Sequence, residues 1–196
     1  MRARRSILAA VALVVALAAG ASACGGSSGS SSQSVNPPAE VSPAGDIPDT
    51  QAFVPFTPAG GGYTIEVPEG WARSDLPTGA TFTDKLNSIQ VESAPAATAP
   101  TDRLVRADDI PALASSVQNF KLGQVGTVSR TAGDALLLTY QGQSQPDSVT
   151  AKTITQDIER YQFWKNGNLV TITLTSPKGA DNVDPWKTVT NAFGWQ

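Results

Sequence analysis

The stretch Tyr161–Leu174, read as YQFWKNGNLVTITL, constrains this chain most tightly. Asn166-Gly167 is a two-residue turn whose central residues must take positive φ, which favours a tight β-hairpin. A loop of that length sets Trp164 opposite Leu169, Phe163 opposite Val170 and Tyr161 opposite Ile172. Pleat alternation then gathers Tyr161, Phe163, Val170, Ile172 and Leu174 on one face. Trp164 and Leu169 pair on the other face, among Gln162, Thr171 and Thr173. Both strands choose the same apolar face, which a slipped register would not give. Such a hairpin belongs at the centre of a sheet with another layer packed on it.

The residue inventory narrows the chemistry. The 196 residues suit one domain with appendages, or at most two small domains. Cys24 is the only cysteine, so the chain can form no internal disulfide and no cysteine metal cluster. There is no histidine, which removes Ser-His-Asp and Cys-His catalysis and zinc-hydrolase motifs. No cofactor or metal is expected. Arg2, Arg4 and Arg5 fall in a segment expected to be removed. Without them the 14 basic residues become 11 against 17 acidic ones, a net charge of −6. That surface has no basic excess to neutralise phosphates, so neither nucleic acid nor anionic lipid is expected as an electrostatic partner.

Residues 1–23 read as an export signal. Arg2, Arg4 and Arg5 give the positive start, Ile7–Ala19 is apolar, and Gly20-Ala21-Ser22-Ala23 supplies small residues before Cys24. Thirteen helical residues rise about 20 Å, short of the roughly 30 Å hydrocarbon core, so a permanent span is disfavoured. Cleavage between Ala23 and Cys24 admits two readings. One is an ordinary secreted protein, since Ala21-Ser22-Ala23 fits an Ala-x-Ala site. The favoured one is a lipoprotein, because the sole cysteine follows the small residues directly and Gly25-Gly26-Ser27-Ser28-Gly29-Ser30 follows it. The stretch resembles a bacterial lipobox, with Ala21 where leucine is commonest; the resemblance implies a diacylglyceryl Cys24 at the mature N-terminus. Two acyl chains anchor stably, at about 0.8 kcal/mol per buried methylene, where one is marginal. Arg4-Arg5-Ser6-Ile7-Leu8 loosely resembles a twin-arginine signal. Residues 24–52, rich in Gly, Ser and Pro, form the expected tether; Val35, Val41 and Ile47 are too sparse for a core. A flexible chain of that length holds its domain roughly 30 Å from the anchor on average.

Folded structure is expected over 53–196. Tyr63–Val67 alternates as a half-buried strand, Pro68-Glu69-Gly70 turns, and Thr81–Thr83 and Ser88–Ser93 flank a turn at Lys85-Leu86-Asn87. Ile110, Leu113, Val117 and Phe120 fall on one helical stripe, with Asp108 and Asp109 capping it and Pro111 in its first turn. Lys121–Arg130 and Ala135–Gln141 are strands, the latter with Leu136, Leu138 and Tyr140 on one face. In the strand leading to the hairpin, apolar parity changes between Ile158 and Tyr161, which predicts a bulge near Glu159-Arg160. A last helix has Asp184 as N-cap, Pro185 at N1, a stripe of Trp186, Val189, Thr190 and Phe193, and Gly194 as stop. The sum is an α+β domain: an antiparallel sheet of about six to eight strands with helices packed on it.

The series Tyr63-x-Ile65-x-Val67-Pro68-x-Gly70-Trp71, central helix, strand pair, Tyr161–Leu174 hairpin and final helix with Trp186 and Phe193 is similar to the PsbP-like fold. Lipobox, tether and domain together resemble the Lpq-type lipoproteins of the actinobacterial cell envelope. The resemblance implies an α/β/α sandwich on the outer face of the plasma membrane, held by lipidated Cys24, with a binding or accessory role. It supplies no catalytic residues.

Carboxylate pairs are the remaining catalytic currency. Asp157 and Glu159 share a strand face about 7 Å apart at the backbone, within the range of glycosidic acid–base pairs, although solvated strand charges are the commoner meaning. Asp108-Asp109 and Asp181-Asn182-Val183-Asp184 read as caps and loop polarity, the latter lacking calcium-loop spacing. Trp71, Trp164 and Trp186 lie at core-compatible positions. Trp195 is the tryptophan expected at the surface, a possible ligand or partner contact. Three functions stand in order: a non-enzymatic interaction module docking an envelope protein, a carrier or sensor of an apolar or glycan ligand, and a carboxylate hydrolase.

Overall fold

The computed structural model describes residues 44–196. The signal, its cleavage at Ala23-Cys24, the lipidation of Cys24 and the tether up to residue 43 lie outside the described residues. Strands β1 (Phe53–Phe56), β2 (Tyr63–Pro68), β3 (Ala72–Leu76), β4 (Gly79–Asp84) and β5 (Asn87–Pro95) lead into a helical stretch. That stretch is α1 (Asp102–Leu104), a π-helical turn (Val105–Asp109) and α2 (Ile110–Ser116). Then come β6 (Lys121–Arg130), β7 (Gly133–Gln143), β8 (Thr155–Lys165), β9 (Asn168–Pro177), α3 (Val183–Asn191) and β10 (Gly194–Trp195). Two antiparallel sheets form, one of seven strands ordered β3-β4-β5-β9-β8-β7-β6 and one of three ordered β1-β2-β10. The fold is α+β, as expected.

The β8–β9 hairpin has the register its turn dictates. Asn166 and Gly167 take φ of 51° and 81°, Trp164 pairs with Leu169 and Phe163 with Val170. Tyr161, Phe163, Val170, Ile172 and Leu174 are all buried on one face of the large sheet, with Ile89, Val91 and Phe82 continuing that face onto β5 and β4. The small sheet and α3 cover this face through Tyr63, Ile65, Val67, Trp186, Val189 and Phe193. Phe193 stacks on Phe163 at 4.2 Å between ring centroids. Burial of each such side chain contributes about 1.5–3 kcal/mol, so this layer dominates stability.

The opposite face carries a second core of Val105, Leu136, Leu138, Tyr140 and Ile158, with Ile110, Leu113, Val117 and Phe120 packed against it. This corrects the bulge expected near Glu159-Arg160. β8 pairs with β7 and β9 in unbroken register there, Glu159 opposite Leu174 and Arg160 opposite Thr173. The parity changes because the covering layer changes sides: Ile158 meets the α2 layer and Tyr161 the α3 layer. The actual irregularity is in β6, between Leu122 and Val125, where Thr139 Oγ1 accepts from Gln124 N–H at 2.8 Å.

Both helices start differently from expectation. The first begins at Thr101, whose hydroxyl accepts from Leu104 N–H, so Asp108 and Asp109 sit about two turns inside it and cap nothing. It also ends at Ser116; Val117 is extended (φ −97°, ψ 119°), and Phe120 reaches the same core from the turn that follows. α3 starts two residues earlier than expected, with Asn182 rather than Asp184 at the N-cap position and no side-chain cap bond. Gly194 does not merely end α3: it opens β10, which pairs with β2 through Gly194–Thr64 and Trp195–Tyr63.

Packing also extends upstream of Phe53. Ile47 is 5 % exposed and belongs to the main core, and it is held there by polar clips. Asn182 Oδ1 accepts from Ile47 N–H at 2.7 Å, while Asn182 Nδ2 donates to Gly45 O at 2.9 Å and to Asn87 Oδ1 at 3.2 Å. Asn87 Nδ2 donates to the same Gly45 carbonyl at 2.8 Å. Two buried asparagines thus supply the partners that this strap of backbone would otherwise lack.

Candidate functional site

The carboxylates singled out from spacing do meet in a groove. At the end of the α3-covered face, where α3 begins, strands β6–β9 are left open. There Asp157, Glu159, Thr139, Gln141 and Ser176 line a groove of about 520 Å³ against Val183 and Trp186. Alternation places them: Asp157 pairs with Gln141 on β7 and Ser176 on β9, and Glu159 with Thr139 and Leu174. Lys121 and Lys178 add cations at the rim. Val183, 68 % exposed, adds apolar surface, whereas Leu122 pairs with Tyr140 and so faces the other side of the sheet.

Each carboxylate is already held by its own chain. Asp157 Oδ1 accepts from Gln141 Nε2 at 2.9 Å and Oδ2 from Gly179 N–H at 3.2 Å. Glu159 Oε2 accepts from the Tyr161 hydroxyl at 2.7 Å. Tyr161 in turn accepts from Arg130 Nη2 at 3.0 Å, and Arg130 Nε donates to Thr190 Oγ1 at 2.9 Å. Burial, and then the hydrogen bond and charge of Glu159, push the Tyr161 pKa up to about 12, so the phenol stays a donor. The chain Glu159–Tyr161–Arg130–Thr190 ties β8, β6 and α3 together. It leaves carboxylate lone pairs open towards the groove, suited to accepting hydrogen bonds from a cationic or amide-bearing ligand.

The tryptophans are distributed by packing. Trp186 is buried and meets Trp71 edge-on at 6.4 Å; Trp164 is half-buried and donates from Nε1 to Ala96 O at 2.8 Å. Trp195, expected at the surface, is half-buried: β10 pairs it with Tyr63, and its ring meets Phe193 edge-on at 5.2 Å. Asp109 Oδ2 accepts from Gln162 Nε2 at 2.6 Å, joining the helical layer to β8. Asp181 N–H donates to Asp46 Oδ1 at 2.9 Å, so this turn serves the strap. Among the described residues, no three of His, Cys, Asp and Glu gather where they could hold a metal ion, and no helix is long and apolar enough to cross a membrane. Sequence reasoning missed Lys121 and Val183 at the groove. The available signal was that the α3 start carries an apolar residue at an exposed position.

No protein-family model matches the sequence, and no curated protein matches it significantly. Solved structures are similar in fold. The cyanobacterial PsbP (CyanoP) of Synechocystis sp. superposes with a TM-score of 0.51 at 15 % identity, covering 78 % of this chain and 99 % of that one. The Ran-binding protein Mog1p of Saccharomyces cerevisiae gives 0.45 at 13 % identity over 74 % of this chain and 95 % of its own. LpqN, involved in cell envelope biogenesis of Mycobacterium tuberculosis, gives 0.45 at 10 % over 76 % and 92 %. The CyanoP likeness establishes a PsbP-like fold. The other two scores fall below what a fold assignment needs, and identities this low speak to fold alone.

Proposed function

We propose that this chain is a non-enzymatic accessory protein, exported and held at the outer face of the plasma membrane through lipidated Cys24, that docks a partner polypeptide in the carboxylate groove. The observation that carries the docking reading is the groove's make-up: exposed Val183 beside carboxylates already hydrogen-bonded by Gln141, Gly179 and Tyr161. Open polar surface with an apolar anchor and both signs of charge fits a polypeptide, which offers amides, side-chain charges and apolar groups together. A hydrolase would instead need an acid kept protonated beside an ionised partner, and these two side chains have separate donors. The anchoring reading rests on the Arg-rich start, the 13-residue apolar run, Ala21-Ser22-Ala23 and the lone cysteine.

The docking test is site-specific photo-crosslinking in intact cells. A photoreactive residue at Val183 should capture one defined protein, and the same group at Lys187, exposed on α3 but outside the groove, should not. Equal capture from both positions, or none from Val183, refutes the assignment. Anchoring is tested separately: Cys24→Ala should abolish fatty-acid labelling and release the protein from the membrane fraction, and unchanged retention refutes it.

A further inference from the structure

The loop 178–182, between β9 and α3, is engaged from two sides. On one side it builds the carboxylate groove: Lys178, Ala180 and Asn182 line it together with Val183, and Gly179 N–H holds Asp157 Oδ2 at 3.2 Å. On the other side it carries the strap of residues 44–47. Asp181 N–H donates to Asp46 Oδ1 at 2.9 Å, and the Asn182 side chain holds Gly45 O and Ile47 N–H. Gly45 also lies so close to Pro177, where the loop leaves β9, that a Cβ would stand 2.4 Å from Pro177 Cγ. Its φ of +100° is open to glycine and strained for any other residue. Gly45, Asp46 and Ile47 do not themselves line the groove, so they act on it through this loop.

Asn182 is the joint between the two sides. It occupies the N-cap position of α3, where an asparagine side chain ordinarily accepts from a backbone N–H two or three residues on. Here it makes no such bond. Its carboxamide is committed to the strap instead, Oδ1 to Ile47 N–H and Nδ2 to Gly45 O and Asn87 Oδ1. Of the two donors a cap could serve, Pro185 has no N–H, which leaves that of Asp184. The side chain therefore has two alternative sets of partners and cannot satisfy both.

We propose that the strap is a latch on the groove, with Asn182 as the two-position element between them. Latched, the carboxamide clips the strap, the loop is braced by Gly45 and Asp46, and Gly179 and Val183 are held beside Asp157. Released, the carboxamide turns to the Asp184 N–H and the loop loses that brace. Exchanging one set of bonds for another gives two discrete states that both strap and groove can bias. By linkage, a partner that prefers the latched groove holds the strap down as strongly as the strap favours the partner. That consequence rests on the groove being a docking site, as proposed above; the coupling of strap to loop is a property of the free protein.

Gly45→Ala tests this from outside the groove, and Ile47→Ala is a second variant that frees the strap without backbone strain. In hydrogen exchange followed by NMR on the full chain, both should speed exchange at the Gly179 amide and slow it at Asp184, while Asn168 at the hairpin tip exchanges as in the parent. Opposite signs five residues apart separate a switch from general loosening, which speeds both. Asn182→Asp keeps an acceptor for the cap but loses both donations to the strap, so it should give the same pattern. In intact cells, photo-crosslinking from Val183 should fall about fivefold or more in the two strap variants, the low end of common coupling strengths. The latch is overturned if protease cuts the freed strap while Gly179 and Asp184 exchange as in the parent, if both amides speed up together, or if capture from Val183 is unchanged. No capture in the parent itself refutes the docking reading instead, and the paired amide result then decides the latch alone.

Discussion

Asn182→Ala is the substitution whose cost the structure defines most closely. The side chain is 2 % exposed and makes three hydrogen bonds, to Ile47 N–H, Gly45 O and Asn87 Oδ1. At about 1 kcal/mol each their loss removes roughly 3 kcal/mol. Gly45 O keeps its bond from Asn87, whereas the Ile47 N–H is left buried without an acceptor. The strap relieves that by undocking, which then exposes Ile47 and forfeits about 2–4 kcal/mol of core packing, the range of an aliphatic-to-Ala truncation. The two routes are alternatives, so the expected loss is about 3–4 kcal/mol, a large share of a typical 5–15 kcal/mol. Urea denaturation followed by tryptophan fluorescence measures it. Because either change releases the same strap, Asn182→Ala combined with Ile47→Ala should cost little more than the worse single variant, and limited proteolysis should cut near residues 44–52 in each. A loss under about 1 kcal/mol, or full additivity of the two, would refute the reasoning that buried asparagines clip this segment into the core.

Three further outcomes are expected. All three tyrosines have pKa values raised chiefly by burial, Tyr63 and Tyr161 to about 12. Their stabilisation is fully present below the unfolded value near 10 and is lost as pH rises towards 12, so the native protein should show little tyrosinate absorbance at about pH 10.5 and lose urea resistance above it; ordinary titration near 10 contradicts this. Gly79→Ala should destabilise by about 2–4 kcal/mol, because its Cβ would stand 1.8 Å from the Val91 carbonyl oxygen, while Gly126→Ala, with nothing within 4 Å, should fall within about 0.5 kcal/mol; comparable chemical denaturation midpoints for the pair would be the wrong result. Asp147 accepts from Thr150 N–H, the Thr150 hydroxyl and Val149 N–H, which hold its pKa below the ordinary value, so Asp147→Ala should loosen the 144–154 loop, seen as faster amide exchange, with the difference vanishing as pH falls through the lowered pKa.

What was legible in the sequence is what short-range chemistry determines. Asn166-Gly167 sets a turn, the turn sets a register, and the register sorts Tyr161 and Phe163 from Gln162 and Trp164. The layer order was not legible. The parity change at Ile158–Tyr161 looks the same in sequence whether a strand bulges or its two ends are covered from opposite sides, and only the placement of α2 and α3 decides. Ile47 was unreadable because a single apolar residue among prolines has no period; its burial depends on Asn182, 135 residues away in sequence. Trp195 sits in a two-residue strand, too short for alternation, so its pairing with Tyr63 and half-burial were not readable from its place beside Gln196. At the groove, the shared face of Asp157 and Glu159 was readable from i, i+2 spacing. Their company was not, since Lys121 and Val183 arrive from β6 and α3.

Among the described residues the large sheet ends in two unpaired margins, β3 and β6, and neither invites a neighbour. β3 is five residues long and crossed by the Arg73–Asp75 ion pair at 2.6 Å; β6 is interrupted between Leu122 and Val125. A second molecule laying a strand along either would meet charge at one and a misaligned ladder of donors and acceptors at the other. A second copy of the chain would therefore find no continuous, regular strand edge at either end of this sheet along which to extend it.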